Sequence, residues 1–89
     1  MIKTVHLLIT GKVQGVFYRA SSRKEAIKWG LKGWVRNTDS GAVEMIVTGD
    51  EQSLNNFIKW CGLGPDRAKV ENVTKTDAPL THFDAFKIK

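Results

Sequence analysis

Two stripes of helical period, each set between segments of strand period, restrict this chain more than any other feature of its sequence. From Tyr18 to Trp29, the residues Tyr18, Ser22, Ala26 and Trp29 fall along one helical face, with Arg23, Lys24 and Lys28 largely off it. Leu54, Phe57, Ile58 and Cys61 repeat the i, i+3, i+4, i+7 spacing of a second buried face. Gly30 can close the first helix with a positive φ. Asp50 is placed to cap the second, and Gly62-Leu63-Gly64-Pro65 stops it. Around these helices, Val5 to Thr10 reads as a strand ending at Gly11, with Val5, Leu7 and Ile9 on one face. Gly33 to Asn37 and Ala42 to Thr48 read as a hairpin about the turn Thr38-Asp39-Ser40-Gly41. Ala68 to Thr76 is expected as a fourth strand and Phe83 to Lys89 as a short fifth.

Each stripe has to bury itself, and a sheet with one covered face offers both helices the same place to go. The predicted fold is therefore α+β: a ferredoxin-like split βαβ sandwich, βαββαβ plus a short C-terminal strand. The sheet is expected to be antiparallel, with two helices on one face and the main strands ordered 4-1-3-2. No linker, low-complexity tract or repeat divides the 89 residues, so a single domain over 1–89 is expected. This fold serves many functions and selects none.

Composition excludes several classes. The run Leu7-Leu8-Ile9 is far too short to cross a bilayer, and Met1-Ile2-Lys3 leads directly into a strand rather than a secretion signal. One cysteine makes neither an internal disulfide nor a thiolate metal cluster. The expectation is a cytoplasmic domain, with no membrane partner, of a size that suits a monomer. A net charge of +5 favours an anionic partner without naming it.

The chemistry lies in Gly11-Lys12-Val13-Gln14-Gly15-Val16-Phe17-Tyr18-Arg19, between the first strand and the first helix. Unpaired N–H groups point outward at a helix start, and two glycines let the chain turn while a ligand approaches the backbone. Such a row of N–H groups at the positive end of a helix dipole is an anion cradle, and the Arg19 guanidinium can grip two phosphate oxygens at once. The loop lacks the Gly-Lys-Ser/Thr ending of a nucleoside-triphosphate P-loop. Six residues before Arg19 stands Val13, where cysteine-dependent phosphatases carry their thiolate, so a phosphocysteine route is closed here. His6, His82 and the scattered acids have no metal-ligand spacing. What remains is direct attack of water on a bound phosphoryl group.

That loop, together with Gly33-Trp34-Val35-Arg36-Asn37-Thr38-Asp39-Ser40-Gly41-Ala42-Val43-Glu44, resembles the two signature segments of the acylphosphatase family, and the likeness runs from about Val5 to Lys89. The resemblance implies a hydrolase that cleaves the carboxyl-phosphate anhydride bond to a carboxylate and inorganic phosphate. It implies that backbone N–H groups of Gln14, Gly15, Val16, Phe17, Tyr18 and Arg19, with the Arg19 side chain, bind the phosphoryl oxygens. It gives Asn37 the orientation of the attacking water, and it calls for no metal, cofactor or covalent intermediate. Inorganic phosphate or sulfate should compete for the same cradle. Tyr18 departs from the family's usual phenylalanine and is expected to be tolerated where its hydroxyl finds solvent or an acceptor. Relatives of this domain also form part of a larger carbamoyl-transferring protein; the chain reads as the stand-alone type.

Simpler roles account for most other conspicuous residues. Trp29, Trp34 and Trp60 are expected as core and core-edge fillers, Cys61 as a small hydrophobe, and His6 on the open side of the sheet. RNA-recognition domains share this strand and helix order, yet they stack bases on aromatics of the central strands. Ala42 to Thr48 has no aromatic, so no nucleic-acid partner is expected.

Overall fold

A computed structural model describes residues 1–89. The elements are β1 (Ile2–Lys12), α1 (Tyr18–Lys28), β2 (Lys32–Asn37), β3 (Val43–Asp50), α2 (Glu51–Leu63), β4 (Lys69–Ala78) and β5 (Phe86–Ile88). The sheet runs β4-β1-β3-β2-β5, so the expected order 4-1-3-2 stands, with β5 added beside β2. The first four strands pair antiparallel, whereas β5 lies parallel to β2, with Val35 opposite Ile88. A wholly antiparallel sheet was the expectation; the parallel edge strand makes it mixed. The cause is connectivity, since β5 arrives from β4 across the far side of the sheet instead of turning back in a hairpin.

Alternation decides which face is covered. Val5, Leu7 and Ile9 of β1 and Val43, Met45 and Val47 of β3 are fully buried beneath the helices. Each such side chain contributes roughly 1.5–3 kcal/mol through removal from water. Tyr18, Ser22 and Ala26 form the buried side of α1, as their spacing predicts, and Trp29 stands at its C-terminal cap. Leu54, Phe57 and Cys61 do the same for α2, while Ile58 is only half-buried. Asp50 caps α2 by accepting from the Gln52 N–H at 3.1 Å, and Gly30 follows α1 with φ +70°. No helix is long and apolar enough to cross a membrane.

The main boundary differences have physical reasons. Gly11 does not end β1 but lies within it, where the pairing with β4 shifts register between Thr10 and Gly11. Its φ is +120°, and a Cβ there would strike the Lys69 carbonyl, so glycine is what lets β4 pass this closely. Gly49 and Asp50 likewise stay in β3, because β1 continues to Ile2 and pairs Ile2 with Asp50. The fifth strand shrinks to three residues.

Candidate active site

The first helix begins without a conventional cap. Phe17 occupies the N-cap position at φ +63°, ψ +24°, no side chain caps the helix, and its first turn holds no acid. Gly15 is also left-handed, at φ +73°. Alternating left- and right-handed residues turn successive N–H groups toward one concave side. The N–H groups of Gln14, Gly15, Val16, Phe17, Tyr18 and Arg19 donate no hydrogen bond within the chain; the next amide to do so outside regular pairing is Ser21, to the Phe17 carbonyl at 3.0 Å. Exposed backbone donors in such a row are available to an anion.

The loop borders a cavity of about 320 Å³ that Arg19, Asn37 and Ile88 share with Gly15, Phe17 and Ala20, over the buried Val13 and Tyr18. Arg19 at the start of α1 and Asn37 at the end of β2 therefore reach one space. The order β1-β3-β2 places the exits of β1 and β2 at the same end of the sheet, with Val43 opposite both Ile9 and Asn37. Arg19 is half-buried and its guanidinium makes no hydrogen bond or ion pair in the chain. Arg23, one turn on, is instead engaged, donating Nε to the Phe86 carbonyl at 3.0 Å. Asn37 lines the cavity, yet its Oδ1 is covered and has no hydrogen-bond partner. An unmet buried acceptor costs about 1–3 kcal/mol. A half-turn of the carboxamide about χ2, a broad torsion, would exchange the positions of Oδ1 and Nδ2.

Three contributions escape the sequence. The Gln14 side chain donates from Nε2 to the Thr38 and Ala42 carbonyls, both at 2.8 Å, and so ties the loop to the hairpin immediately after Asn37. A lone glutamine gives no hint of partners 24 and 28 residues away. Ile88 reaches the cavity because β5 adds in parallel to β2, and the exposed Phe17 ring stands at its edge. Tyr18 meets its expected condition differently from a solvent contact: its hydroxyl donates to the Cys61 carbonyl at 2.7 Å, and its ring packs on Trp60. Burial pushes the Tyr18 hydroxyl far above its ordinary value and the Cys61 thiol up to about 12, so both remain protonated. Cys61 is an inert core residue.

His6 and Arg36 stay on the opposite, open face of the sheet. There His6 Nε2 and Arg36 Nε meet the two carboxylate oxygens of Glu44 at 2.7 and 2.6 Å. Trp29 and Trp60 pack against the core, whereas Trp34 lies on the open face beneath the Lys89 ammonium, 4.4 Å from its ring centroid. The chain holds no cluster of three His, Cys, Asp or Glu side chains able to share a metal.

Fold and cavity together define a ferredoxin-like sandwich whose loop between the first strand and first helix presents backbone donors without internal partners beside a cavity. The acylphosphatase family model matches residues 5–88. An acylphosphatase of Syntrophus aciditrophicus (strain SB) is 44% identical over 89 residues, covering 99% of this chain and 93% of that protein. The structure of an acylphosphatase from Coxiella burnetii superposes with TM-score 0.96 at 35% identity, over 99% of this chain and 93% of the other. Acylphosphatase from Bacillus subtilis gives TM-score 0.95 at 33% identity, over 100% and 99%. The chain belongs to the acylphosphatase family, and with that membership comes the hydrolysis of acyl phosphates.

Proposed function

We propose that the chain hydrolyses acyl phosphates by direct in-line attack of a water held by Asn37 on a phosphoryl group held by Arg19 and the loop amides. The observation that carries this reading is the run of amides from Gln14 to Arg19, free of internal partners, in the loop that walls the cavity shared by Arg19 and Asn37. The amides and the fork of Arg19 surround the phosphoryl oxygens, whose negative charge they neutralise without reorganising. Asn37 takes no proton at neutral pH. With the carboxamide turned so that its oxygen faces the cavity, that oxygen accepts a hydrogen bond from the water and directs the water's lone pair at phosphorus. The new bond forms between the water oxygen and phosphorus while the bond from phosphorus to the acyl oxygen breaks. The electron pair leaves on the carboxylate, a weak base that needs no acid to assist it. The water's proton passes to a phosphate oxygen of the substrate.

Arg19 and the amides supply the positive charge that a metal supplies elsewhere, so the reaction is metal-independent in this reading. Free phosphate and sulfate, which fit the same cradle, compete with substrate. The test is hydrolysis of benzoyl phosphate in excess chelator by the parent, Arg19→Gln and Asn37→Ala, with circular dichroism confirming that all three fold. Arg19→Gln is expected to lose at least about 100- to 1000-fold in turnover, as for removal of one preorganised donor. Asn37→Ala is expected to lose turnover while inhibition by inorganic phosphate persists. Retention of most activity by Arg19→Gln overturns the assignment.

A further inference from the structure

We infer that Phe17 and Ile88 form an apolar wall that binds the acyl half of the substrate, so the chain selects aromatic and other bulky apolar acyl phosphates over acetyl phosphate. This rests on the cradle being the phosphoryl site. A phosphoryl group takes no more than about four water volumes, roughly 120 Å³. Most of the 320 Å³ cavity is therefore left for something else. Beyond Gly15, Arg19 and Asn37, its exposed lining is apolar: Phe17, Ala20 and Ile88. Ligand pockets commonly combine such a wall with a few convergent polar groups.

Phe17 is 75% exposed and Ile88 44%. Single exposed hydrophobics are ordinary on a protein surface, and exposure alone says nothing. Phe17 differs because it is also the chain's one left-handed residue that is not glycine. The cradle needs that backbone turn, but glycine or asparagine would supply it with less strain. A bulky ring there strains the backbone and, lying in solvent, returns little packing to the free protein. A bound apolar group would return it. Ile88 follows from the parallel pairing of β5: it lies opposite Val35, two residues past the buried Phe86, whose carbonyl is held by Arg23 of α1. One turn earlier in that helix is Arg19, so the Ile88 side chain emerges beside the phosphate grip.

The experiment compares kcat/KM for benzoyl and acetyl phosphate in the parent, Phe17→Ala and Ile88→Ala. Inhibition by phenylphosphonate and methylphosphonate is measured on the same proteins. The parent is expected to favour the aromatic member of each pair. That preference should fall about tenfold in Phe17→Ala and about threefold in Ile88→Ala, in the range expected for loss of part of an apolar pocket. Benzoyl-to-acetyl and phenyl-to-methyl ratios unchanged in both variants overturn the wall. If Phe17→Ala disturbs the cradle, both substrates fall together and Ile88→Ala decides. If the parent hydrolyses neither acyl phosphate, the reaction assignment is at fault, and the ratio of phosphonate binding still decides the wall.

Discussion

The two helices of this chain begin in opposite ways. At α2, Asp50 accepts from the Gln52 N–H, Glu51 places a second carboxylate in the first turn, and the terminal ammonium of Met1 lies 3.2 Å from Asp50. The amino end of that helix, with its partial positive charge, is satisfied from within. At α1 there is no cap and no acid, and the first-turn charged residue is Arg19, a cation where the dipole disfavours one. Two helix starts in one small fold share the same backbone physics, so the difference lies in what each leaves unmet. The start of α1 leaves amides without internal partners beside an unpaired guanidinium, donors of the kind that an anion can satisfy.

The strongest way to break the contrast is to make α1 resemble α2. Arg19→Glu supplies the missing first-turn acid. It is expected to abolish hydrolysis, by about 1000-fold or more, while raising folding stability by about 0.5 kcal/mol through the helix dipole. Turnover of benzoyl phosphate and urea denaturation read the two effects on one sample. A loss of stability would mean that Arg19 supports the fold rather than the ligand.

A smaller effect is expected from the tie between loop and hairpin. Gln14→Glu replaces two donors by a carboxylate facing the Thr38 and Ala42 carbonyls. With Asn37 displaced relative to the cradle, kcat should fall about tenfold to a hundredfold, since misplacement of an ångström can cost that much. Phosphate inhibition, which depends on the amides, should weaken less. Equal losses in both would place Gln14 in binding alone.

The converse change empties the other helix end. Asp50→Ala should lower the thermal midpoint by a few degrees, as loss of a side-chain cap does, with hydrolysis retained. Lost activity in folded protein would erase the distinction between the two ends.

The smallest effect concerns the open sheet face, where polar groups are paired among themselves. The His6 hydrogen bond, followed by that of Arg36, holds the Glu44 carboxyl below its ordinary value near 4.5. A carboxylate with a depressed folded pKa stabilises above its unfolded pKa, and this contribution disappears as pH falls through the folded pKa. Glu44→Gln should therefore destabilise by less than about 1 kcal/mol at pH 7, and the deficit should vanish on acidification. Denaturation at several pH values checks this; a deficit independent of pH would assign it to packing.

Much of this arrangement is legible before folding. The stripes at Tyr18, Ser22, Ala26 and at Leu54, Phe57, Cys61 predict both helices because burial on one face leaves a period that local sequence cannot disguise. The loop from Gly11 to Arg19 stands out for a different local reason, its two glycines and an arginine at a helix start, whereas Asn37 stands out only through the family resemblance. Contacts closed by topology are not. Ile88 enters the cavity only through a parallel pairing that a three-residue strand does not advertise, and the Gln14 clamp spans the sheet order. Gly11 reads as a strand end because its real function, allowing β4 to pass, belongs to a partner 58 residues away at Lys69.

The central claim is that the amides opening α1 bind a tetrahedral oxyanion. Titrating inorganic phosphate into nitrogen-labelled protein, and following each backbone amide by NMR, tests it directly. The account predicts saturable shifts concentrated from Gln14 to Arg19, little change from Glu51 to Ser53, and loss of saturation in Arg19→Gln. Shifts scattered over surface lysines without saturation, or undiminished in Arg19→Gln, would contradict it.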